Sequence, residues 1–560
     1  MKAISIRIHN FRTFSDVEVF FQPYSLLIGV NNSGKSNLID AIRVFYEKDL
    51  KFEEDRDFPK FITKDKESWI EIVFQLSNEE ITTLKSEYKT SDSTLRVRKY
   101  LLTKELDEEK KPKSGIYPYV NGKLENSRFY GVKNVSLGKL GDVIYIPAVS
   151  RLDDLTKLTG PSALRDLINT VLKKIMDTSP AYGGLKSAFD AFSDRIKTES
   201  TENGHSLYTI EQEISKEIND WGTSFEFYIN PITPDDLVKS LIGHRIHDRA
   251  LDLAQDSKCY GQGFQRHMVF TLIKLSAKYS INPKPTNKTD FSPQLTWLLF
   301  EEPEAFLHPS QIDALDENLH TLSLSDGNQV LITTHNPEFV SRNMNELPSL
   351  IHLCRKDIQT TFGQISSDRL AEIFIENQAE VQKWLCNPEI NKKTSSEDFN
   401  LDMEGIKYAL WLDTKRSTSF FANKVLIVEG PTETTLLGYL LGTGQIRPVI
   451  GGLYILDALG KFNIHRFMNL FGEMKIDHAV LVDNDKNKYP EVDLSINSAR
   501  NQFTIGIDQF PEDIEGYLGI PKAGSPHKKP QHIMWCLQNG KIEQTKLDDL
   551  ILKVQKVLLI

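Results

Sequence analysis

Residues 29–36, Gly29-Val-Asn-Asn-Ser-Gly34-Lys35-Ser36, match the phosphate-binding pattern G-x-x-x-x-G-K-[ST]. An apolar run at residues 24–28 predicts a buried strand before them, and residues 37–46 have the apolar spacing of a helix. This order lets loop N–H groups and the positive end of the helix face phosphates. The stretch therefore predicts an ATP site, in which Lys35 reaches the phosphates and the Ser36 hydroxyl holds Mg²⁺. The residues expected to bind nucleotide are Gly29, Asn32, Gly34, Lys35, Ser36 and Asn37.

Length and composition exclude several classes of protein. The 560 residues exceed one ordinary hydrophobic core, so we expect roughly two to four domains. No apolar run reaches the roughly eighteen residues that cross a bilayer, and the N-terminus lacks a signal-peptide layout. The four cysteines have no C-x-x-C spacing, which argues against a zinc site or a disulfide framework. We therefore expect a cytoplasmic protein without membrane contact.

The charge pattern leaves nucleic-acid binding open. A net charge of −10 does not suggest such a role, because nucleic-acid-binding domains usually carry a basic face. Basic clusters at residues 96–99, 110–113 and 527–529 are candidate phosphate contacts, and each also fits an ordinary solvated surface.

Hydrophobic periodicity changes along the first half of the chain. Alternating apolar residues at 4–8, 17–19, 69–74 and 95–98 predict strands of an antiparallel sheet beside the nucleotide. Apolar residues at helical spacing then run from about residue 155 to 250 and predict a helical insertion. Such a stripe serves either as core or as a contact between subunits.

A second set of motifs returns to the ATP site. The apolar run 295–300 predicts a buried strand that ends in Glu301 and Glu302, as in a Walker B element. We expect Glu301 to hold Mg²⁺ through water and Glu302 to orient or deprotonate the attacking water. A second apolar strand ends in His335, which is placed to sense the γ-phosphate, although a lone histidine is more often structural.

Residues 260–266, Tyr-Gly-Gln-Gly-Phe-Gln-Arg, precede an apolar helix and form a further candidate anion-binding nest. With this loop, the order of motifs resembles an ABC-type ATPase of the SMC/RecF branch. The resemblance implies a dimer that closes on ATP, with the signature loop of one subunit meeting the nucleotide of the other. Glu301 and Tyr260 depart from the usual aspartate and serine of such ATPases. The residues implied to act in trans are Gly261, Gly263 and Gln265.

Carboxylates at strand ends mark a second site beyond residue 420. The apolar strand 424–428 ends in Glu429, Glu433 lies one helical turn further, and the strand 479–482 ends in Asp483 and Asp485. Adjacent parallel strands would bring these four carboxylates to one edge of a sheet. Because crowded carboxylates repel one another unless cations neutralise them, they predict Mg²⁺ or Mn²⁺, with two ions about 4 Å apart able to cleave a phosphodiester.

This half resembles a Toprim domain, and Val428-Glu-Gly-Pro-Thr-Glu433 matches a pattern common in the OLD family of nucleases. The whole chain resembles such a nuclease, an ABC-type ATPase fused to a C-terminal Toprim. The stretch 510–515 offers Glu512 or Glu515 as a further metal ligand, of which we prefer Glu515. Lys529 is our choice for a cation that stabilises the phosphorane or the leaving group. The metal ions expected are Mg²⁺, with Mn²⁺ or Ca²⁺ as alternatives at the Toprim site.

The fold predicted is α/β: an ABC-type ATPase domain with a helical insertion, followed by a Toprim α/β domain with a parallel sheet. The expected parts are an N-terminal ATPase lobe (1–154), a helical insertion and dimerisation region (155–250), a C-terminal ATPase lobe (251–386), a linker (387–420) and a Toprim nuclease domain (421–560).

Three functions compete. The leading hypothesis is an ATP-regulated, metal-dependent DNA endonuclease; the resemblance implies bacterial defence against phage, as a homodimer or higher oligomer, with a helicase or a reverse transcriptase and its RNA as a candidate partner. The alternative is an SMC/RecF-like ATP-driven DNA clamp in repair whose Toprim does not cleave. In a third, the ATPase is a slow sensor whose nucleotide restrains the nuclease. A topoisomerase would need a tyrosine on a separate DNA-gate domain, which nothing in the sequence resembles.

Overall fold

A computed structural model of the chain describes most of the residues, which group into two compact units. The first unit contains residues 1–148, 285–305 and 309–560, and the second contains 149–284 and 306–308. The residues described are 1–47, 50–107, 110–131, 139–148, 168, 172, 179–196, 199–202, 204–221, 223–227, 240, 242, 245–249, 252–255, 259–261, 263–265, 267–268, 271–272, 275, 291, 293, 295–305, 307–342, 344–392 and 400–560.

The described strands form three sheets in the first unit and one two-stranded pair in the second. The strands are β1 (Lys2–Phe11), β2 (Phe14–Phe20), β3 (Tyr24–Ile28), β4 (Ser68–Gln75), β5 (Thr94–Leu102), β6 (Gly115–Val120), β7 (Lys123–Leu124), β8 (Asp142–Ile146), β9 (Ile246–Asp248), β10 (Leu253–Gln255), β11 (Thr296–Glu301), β12 (Asn328–Thr333), β13 (Leu350–Lys356), β14 (Gln359–Gly363), β15 (Lys424–Val428), β16 (Leu453–Asp457), β17 (Asp477–Asp483) and β18 (Thr504–Phe510). An antiparallel sheet has the order β2-β1-β4-β5-β6-β7, a second sheet β14-β13-β3-β12-β11-β8, and a third β16-β15-β17-β18. The pair β9 and β10 belongs to the second unit.

Helices occur in both units and make up much of the C-terminal half. They are α1 (Lys35–Tyr46), α2 (Glu54–Asp57), α3 (Asn78–Thr83), α4 (Pro180–Ile196), α5 (Leu207–Glu217), α6 (Pro309–Leu324), α7 (Pro337–Arg342), α8 (Ser367–Trp384), α9 (Pro388–Asn391), α10 (Leu401–Trp411), α11 (Thr414–Ser417), α12 (Pro431–Gly442), α13 (Ile464–Glu473), α14 (Pro490–Ser498), α15 (Ile514–Tyr517), α16 (Lys529–Gln538) and α17 (Gln544–Leu558). Within the described residues, no helix combines the length and apolarity that a bilayer crossing requires.

The second sheet places the ATPase motifs side by side. Strands β3, β11 and β12 are apolar and almost fully buried, as expected of central strands covered on both faces. They run parallel in the order β3-β12-β11, so their carboxyl ends meet at one edge of the sheet. The glycine loop, Glu301 and His335 all follow these ends directly. The ABC-type arrangement predicted from the sequence is therefore confirmed.

The third sheet is fully parallel, as predicted for a Toprim domain. Its strand β15 lies between β16 and β17, with Val428 opposite Asp457 on one side and Leu481 on the other. Apolar side chains of β15, β17, α12 and α17 form its core. The polar residues that follow β15, β16 and β17 consequently share one edge.

The region predicted as a linker is helical over most of the part that the structure describes, through α9, α10 and α11. Helix α10 is fixed by Glu404, whose carboxylate accepts two hydrogen bonds of 2.8 Å from the buried Arg466 guanidinium of α13. Tyr408, also buried, donates to the Arg466 carbonyl at 2.9 Å. The polarity of residues 387–402 concealed this packing, because the apolar and paired side chains of α10 come later in the sequence.

The predicted helical insertion is described only in part. Helices α4 and α5 lie within it. Apart from Ile168 and Leu172, the apolar stripe at residues 164–176 falls outside the described residues. Its role in dimerisation stays a prediction.

The ATPase and Toprim sheets contact each other directly within the first unit. His352 of β13 donates from Nδ1 to the Met474 carbonyl at 2.8 Å. A Cβ atom placed on Gly363 would lie 2.2 Å from the Met474 carbonyl carbon, so only glycine permits this approach.

We expect Gly363→Ala to destabilise the protein by about 1–3 kcal/mol, since the added methyl group must push β14 away from rigid backbone. Gly438→Ala is the matched control, because a Cβ there meets no atom within 4 Å and alanine favours the helical conformation. Urea unfolding of the two variants measures the difference. Equal stability of both variants would contradict the close packing.

Candidate functional site

The two glycines of the nucleotide loop are required by its backbone. Gly29 and Gly34 have φ values of 134° and 106°, which side chains rarely permit. A Cβ on Gly29 would also lie 2.3 Å from the Leu353 carbonyl oxygen. Thr360 of β14 braces the loop, since its hydroxyl donates to the Ser33 carbonyl at 3.0 Å. Strand β14 therefore stabilises the loop conformation, a contact that the sequence did not predict.

The polar residues of this loop lie where the motif predicts. Lys35 and Ser36 open α1, and Asn32 has a left-handed φ of 62° in the loop itself. The Lys35 ammonium donates to the carbonyls of Gly29 and Val30 at 2.8 and 2.9 Å, and burial lowers the pKa of Lys35 to about 8. Asn37 donates to the Thr13 hydroxyl at 2.8 Å. These positions suit the nucleotide-binding roles expected of them.

The acidic pair after β11 separates into two environments. Glu301 accepts a hydrogen bond of 2.8 Å from the Tyr145 hydroxyl of β8. Glu302 has a left-handed φ of 43°, and its Oε1 lies 3.3 Å from Nε2 of His335. Such strain at a non-glycine residue persists only where its surroundings fix it, and it clusters at functional sites. The two predicted catalytic groups, Glu302 and His335, are thus brought together.

Sequence reasoning missed Glu304, which supports His335. Its Oε1 accepts hydrogen bonds from the Thr334 hydroxyl at 2.6 Å and from the His335 backbone N–H at 3.0 Å. Burial raises the pKa of Glu304, whereas burial and the Lys35 charge lower the pKa of His335. The signal available in the sequence was the third glutamate of Glu301-Glu-Pro-Glu304.

The predicted signature loop belongs to the second unit. Gln265 donates from its backbone N–H to the Gly261 carbonyl at 3.2 Å and from Nε2 to the Tyr260 carbonyl at 2.9 Å. Gly263 lies in the same described helical stretch as Gln265. The trans role of Gly261, Gly263 and Gln265 stays a prediction.

The structure places carboxylates beyond residue 420 near the carboxyl ends of β15 and β17. Glu429 Oε1 accepts a hydrogen bond of 2.8 Å from the Asp483 backbone N–H. Glu433 caps α12 through the Gly430 N–H, which donates to its Oε2 at 3.1 Å. The Asp483 Oδ1 atom is buried and has no hydrogen-bond partner among the described residues. Glu429, Glu433 and Asp483 therefore meet at the carboxyl ends of adjacent strands.

Electrostatics shows how crowded this edge is. Burial raises the pKa of Asp483 to about 9, with the Glu429, Glu433 and Asp485 charges adding to the effect. Burial also raises the pKa values of Glu429 and Glu433 to about 7 each, and Asp485 adds to the shift of Glu429. A divalent cation would relieve this repulsion, because it favours the charged carboxylates.

The donor set fits a hard cation. In the described part of the chain, His, Cys, Asp and Glu side chains nowhere form a group of three already arranged around one metal position. Glu429 and Glu433 each accept a hydrogen bond from a backbone N–H on one oxygen, which leaves the other carboxylate oxygen available for ligation. The buried, unpartnered Asp483 Oδ1 and the oxygen-only donors match Mg²⁺ or Mn²⁺.

Buried Glu515 pairs with the partly exposed Lys529 near this edge. Glu515 is fully buried, its Oε1 accepts from the Ala523 N–H at 3.0 Å, and the Lys529 ammonium lies 3.1 Å from its Oε2. Glu512 instead pairs with Lys486 and Lys522 at 3.0 Å each. Both glutamates are therefore paired, and the choice of Glu515 as a further ligand stays a prediction.

Sequence reasoning also missed Lys461, which lies in the turn after β16. The Lys461 ammonium donates to the Asp483 carbonyl at 2.6 Å and lies 2.9 Å from Asp493 Oδ1. Only the strand order reveals it, because 22 residues separate Lys461 from Asp483.

Comparisons with known proteins identify an ATPase domain and a Toprim domain in the chain. The family model described as AAA ATPase domain matches residues 1–142 and 161–340, and the one described as Overcoming lysogenization defect protein-like, TOPRIM domain matches residues 420–485. The Old nuclease of Escherichia phage P2 is 24% identical over 504 residues, covering 87% of this chain and 77% of that protein. Endonuclease GajA of Bacillus cereus (strain VD045) is 23% identical over 546 residues, covering 92% and 82%.

Among solved structures, an SmcHead bound to the C-winged helix domain of ScpA is 14% identical with a TM-score of 0.36, and covers 66% of this chain and 100% of its own. The SMC head domain from Thermotoga maritima is 13% identical with a TM-score of 0.31, and covers 65% and 100%.

We expect the protein, freed of divalent ions, to lose thermal stability as pH rises from about 5 to about 9. The folded state raises the pKa of Asp483 from 3.8 to about 9 and those of Glu429 and Glu433 from 4.5 to about 7. The stability contributed by the protonated forms is therefore complete below the unfolded values and is lost as pH passes the folded ones. Melting temperatures in EDTA across this range measure the loss.

Asp483→Asn is the control, because the amide keeps the shape and cannot ionise. Its melting temperature should fall less steeply with pH, and added Mg²⁺ should stabilise the unsubstituted protein more at high pH than at low pH. A slope unchanged by the substitution would exclude Asp483 as the source.

Proposed function

The chain belongs to the AAA ATPase domain family and carries an OLD-like Toprim domain, and from this premise we propose that it is an ATP-binding, divalent-metal-dependent DNA endonuclease. One observation carries the proposal: Glu429 accepts a hydrogen bond from the Asp483 N–H at 2.8 Å, beside the buried, unpartnered Asp483 Oδ1. Carboxylates at this edge of a parallel sheet occupy the usual position of a functional site.

The proposed chemistry is phosphodiester hydrolysis. The residues that would hold the cations are Glu429, Glu433, Asp483, Asp485 and Glu515. Bound divalent ions supply polarisation of the phosphodiester, an activated water and stabilisation of the leaving oxygen. Lys529, which is held by Glu515, presents a positive charge suited to the negative charge that develops on phosphorus oxygens.

The proposed ATPase chemistry takes place at the edge of the second sheet, where β3, β12 and β11 end. Lys35 and the N-terminus of α1 bind phosphates, Ser36 and Glu301 hold Mg²⁺, and Glu302 orients the attacking water. His335, placed 3.3 Å from Glu302, senses the γ-phosphate. We further propose that the signature residues act in trans in a dimer closed by ATP.

Contacts between the two sheets support nucleotide control of cleavage. The His335 ring lies 6.4 Å from the Phe421 ring, and α7, which follows His335, packs against α11. Arg416 of α11 donates from Nε to the Asp457 carbonyl at 2.8 Å, at the carboxyl end of β16. The Gly460 N–H in the next turn donates to the Glu429 carbonyl at 2.7 Å. A change at His335 therefore has a continuous route to the nuclease carboxylates.

The biological setting is proposed from the relatives. Their printed names include Old nuclease and endonuclease GajA, and the Toprim family is described by the words Overcoming lysogenization defect. These support a cytoplasmic DNA nuclease in bacterial defence against phage, which acts alone as an oligomer or with a helicase or a reverse transcriptase and its RNA.

We expect Glu429→Ala and Asp483→Ala each to abolish nicking or cutting of plasmid DNA in Mg²⁺ or Mn²⁺, because each removes a cation ligand. Gel analysis of supercoiled plasmid measures cleavage, and ATP hydrolysis by the same preparations is the control for folding. Cleavage retained by both variants would refute the nuclease site. Strong ATP turnover with no cleavage by the unsubstituted protein in any metal would favour the SMC/RecF-like clamp.

We expect Lys35→Ala to remove ATP hydrolysis and to make the cleavage rate equal with and without ATP, since Lys35 is the phosphate-binding cation. Lys89→Ala, which changes an exposed lysine of the same unit, is the matched control. Plasmid cleavage measured over a series of ATP concentrations distinguishes the two. A response to ATP that survives in Lys35→Ala would contradict control through this site.

A further inference from the structure

The turn that follows β17 is strained where it carries the acidic residues. Asp485, Lys486 and Asn487 have φ values of 52°, 59° and 59°, so three consecutive non-glycine residues are left-handed. Residues with side chains adopt this conformation at a cost in free energy, and it persists only where neighbouring contacts fix it. The position of the Asp485 carboxylate therefore depends on the contacts that stabilise this turn.

Backbone contacts hold one side of the turn. The Asp485 N–H donates to the Glu512 carbonyl at 3.0 Å, and the Asn484 N–H donates to the Phe510 carbonyl at 3.1 Å. Within the turn, Asn484 Oδ1 accepts from the Asn487 N–H at 2.7 Å. All these contacts come from the β18 side or from the turn itself.

Lys461 holds the other side. Its side chain is 3% exposed, and its ammonium donates to the Asp483 carbonyl at 2.6 Å. The same ammonium lies 2.9 Å from Asp493 Oδ1 and 3.8 Å from Asp485 Oδ2. Burying an ammonium is costly in free energy unless the ammonium is paired and hydrogen-bonded. The oxygens that pair with the Lys461 ammonium belong to Asp483, Asp485 and Asp493 of α14.

The backbone just before Lys461 hydrogen-bonds to the end of the neighbouring strand β15. The Gly460 N–H donates to the Glu429 carbonyl at 2.7 Å, and the Ala458 N–H donates to the Val428 carbonyl at 3.0 Å. The segment 457–461 thus contacts both acid-bearing strand ends: Glu429 through its backbone, and Asp483 and Asp485 through the Lys461 side chain.

We propose that Lys461 is a positioning residue of the nuclease site, which fixes the turn at residues 483–487 so that the Asp483 and Asp485 carboxylates meet a divalent cation. The proposal rests on the proposed nuclease function. Lys461 acts through the turn and does not contact the substrate. The opposite role, a counter-ion that competes with the metal, predicts tighter cation binding when the charge is removed.

The experiment compares Lys461→Met and Lys461→Arg in the full-length protein. Lys424→Met is the matched control, because Lys424 of β15 also donates to a backbone carbonyl, that of Leu558 at 2.7 Å. Asp493→Asn tests whether the Asp493 pair alone explains the effect. Mn²⁺ binding is measured by calorimetry without DNA, plasmid cleavage over a Mn²⁺ series, and ATP hydrolysis and melting temperature for folding.

Loss of a residue that orients metal ligands typically weakens metal binding or activity about 10–100-fold. We therefore expect Lys461→Met to bind Mn²⁺ about 10–100-fold more weakly and to need correspondingly more Mn²⁺ for half-maximal cleavage, with ATP hydrolysis retained. Lys461→Arg should recover part of the affinity. Lys424→Met and Asp493→Asn should leave the half-saturating Mn²⁺ concentration unchanged.

Mn²⁺ affinity that is unchanged or tighter in Lys461→Met overturns the proposal, as does an equal loss of affinity in Asp493→Asn. If Lys461→Met also loses ATP hydrolysis, its folding is in question and Lys461→Arg becomes the decisive variant. The proposal is then overturned if Lys461→Arg binds Mn²⁺ no more tightly than Lys461→Met. Because calorimetry needs no cleavage, these outcomes are distinct from failure of the nuclease function, which would show as no cutting by the unsubstituted protein.

Discussion

The hydrogen bond from the Asp483 N–H to the Glu429 carboxylate is the contact on which the nuclease edge depends. It exists because β15 and β17 are adjacent and parallel, so both strands end at one edge of the sheet. The same adjacency buries several carboxylates together, and burial raises the pKa values of Glu429 and Asp483. Burial disfavours the charged forms of these carboxylates. A divalent cation would neutralise them and so favour their charged forms.

The ATPase edge follows the same geometric rule with different chemistry. Parallel strands β3, β12 and β11 bring a glycine loop, an acidic pair and a histidine to one edge. Here the strain at Glu302 and the support of His335 by Glu304 fix two groups 3.3 Å apart. In the proposed function, the backbone of the loop binds phosphate, and Glu302 and His335 respond to the bound nucleotide.

In the proposed control of cleavage by nucleotide, the segment at the end of β16 connects the two edges. Residues 457–461 are held by Arg416 on the ATPase-facing side, and they contact Glu429 and Asp483 on the other. In this proposal, the hydrogen bonds leave residues 457–461 few alternative arrangements, so a displacement at Arg416 would reach Glu429 and Asp483. The buried Glu404 and Arg466 pair fixes helix α10 of the predicted linker.

The sequence by itself determined the fold class and indicated where the two candidate sites lie. Apolar runs that predict strands lead to Gly29 to Ser36, Glu301, His335, Glu429 and Asp483. Such local order follows from backbone geometry and needs no long-range information. Only the tertiary structure decided which partners support them: Thr360 at the glycine loop, Glu304 beneath His335, and Lys461 between Asp483 and Asp493. These contacts join residues whose spacing carries no periodic signal, and strand order alone determines that they meet.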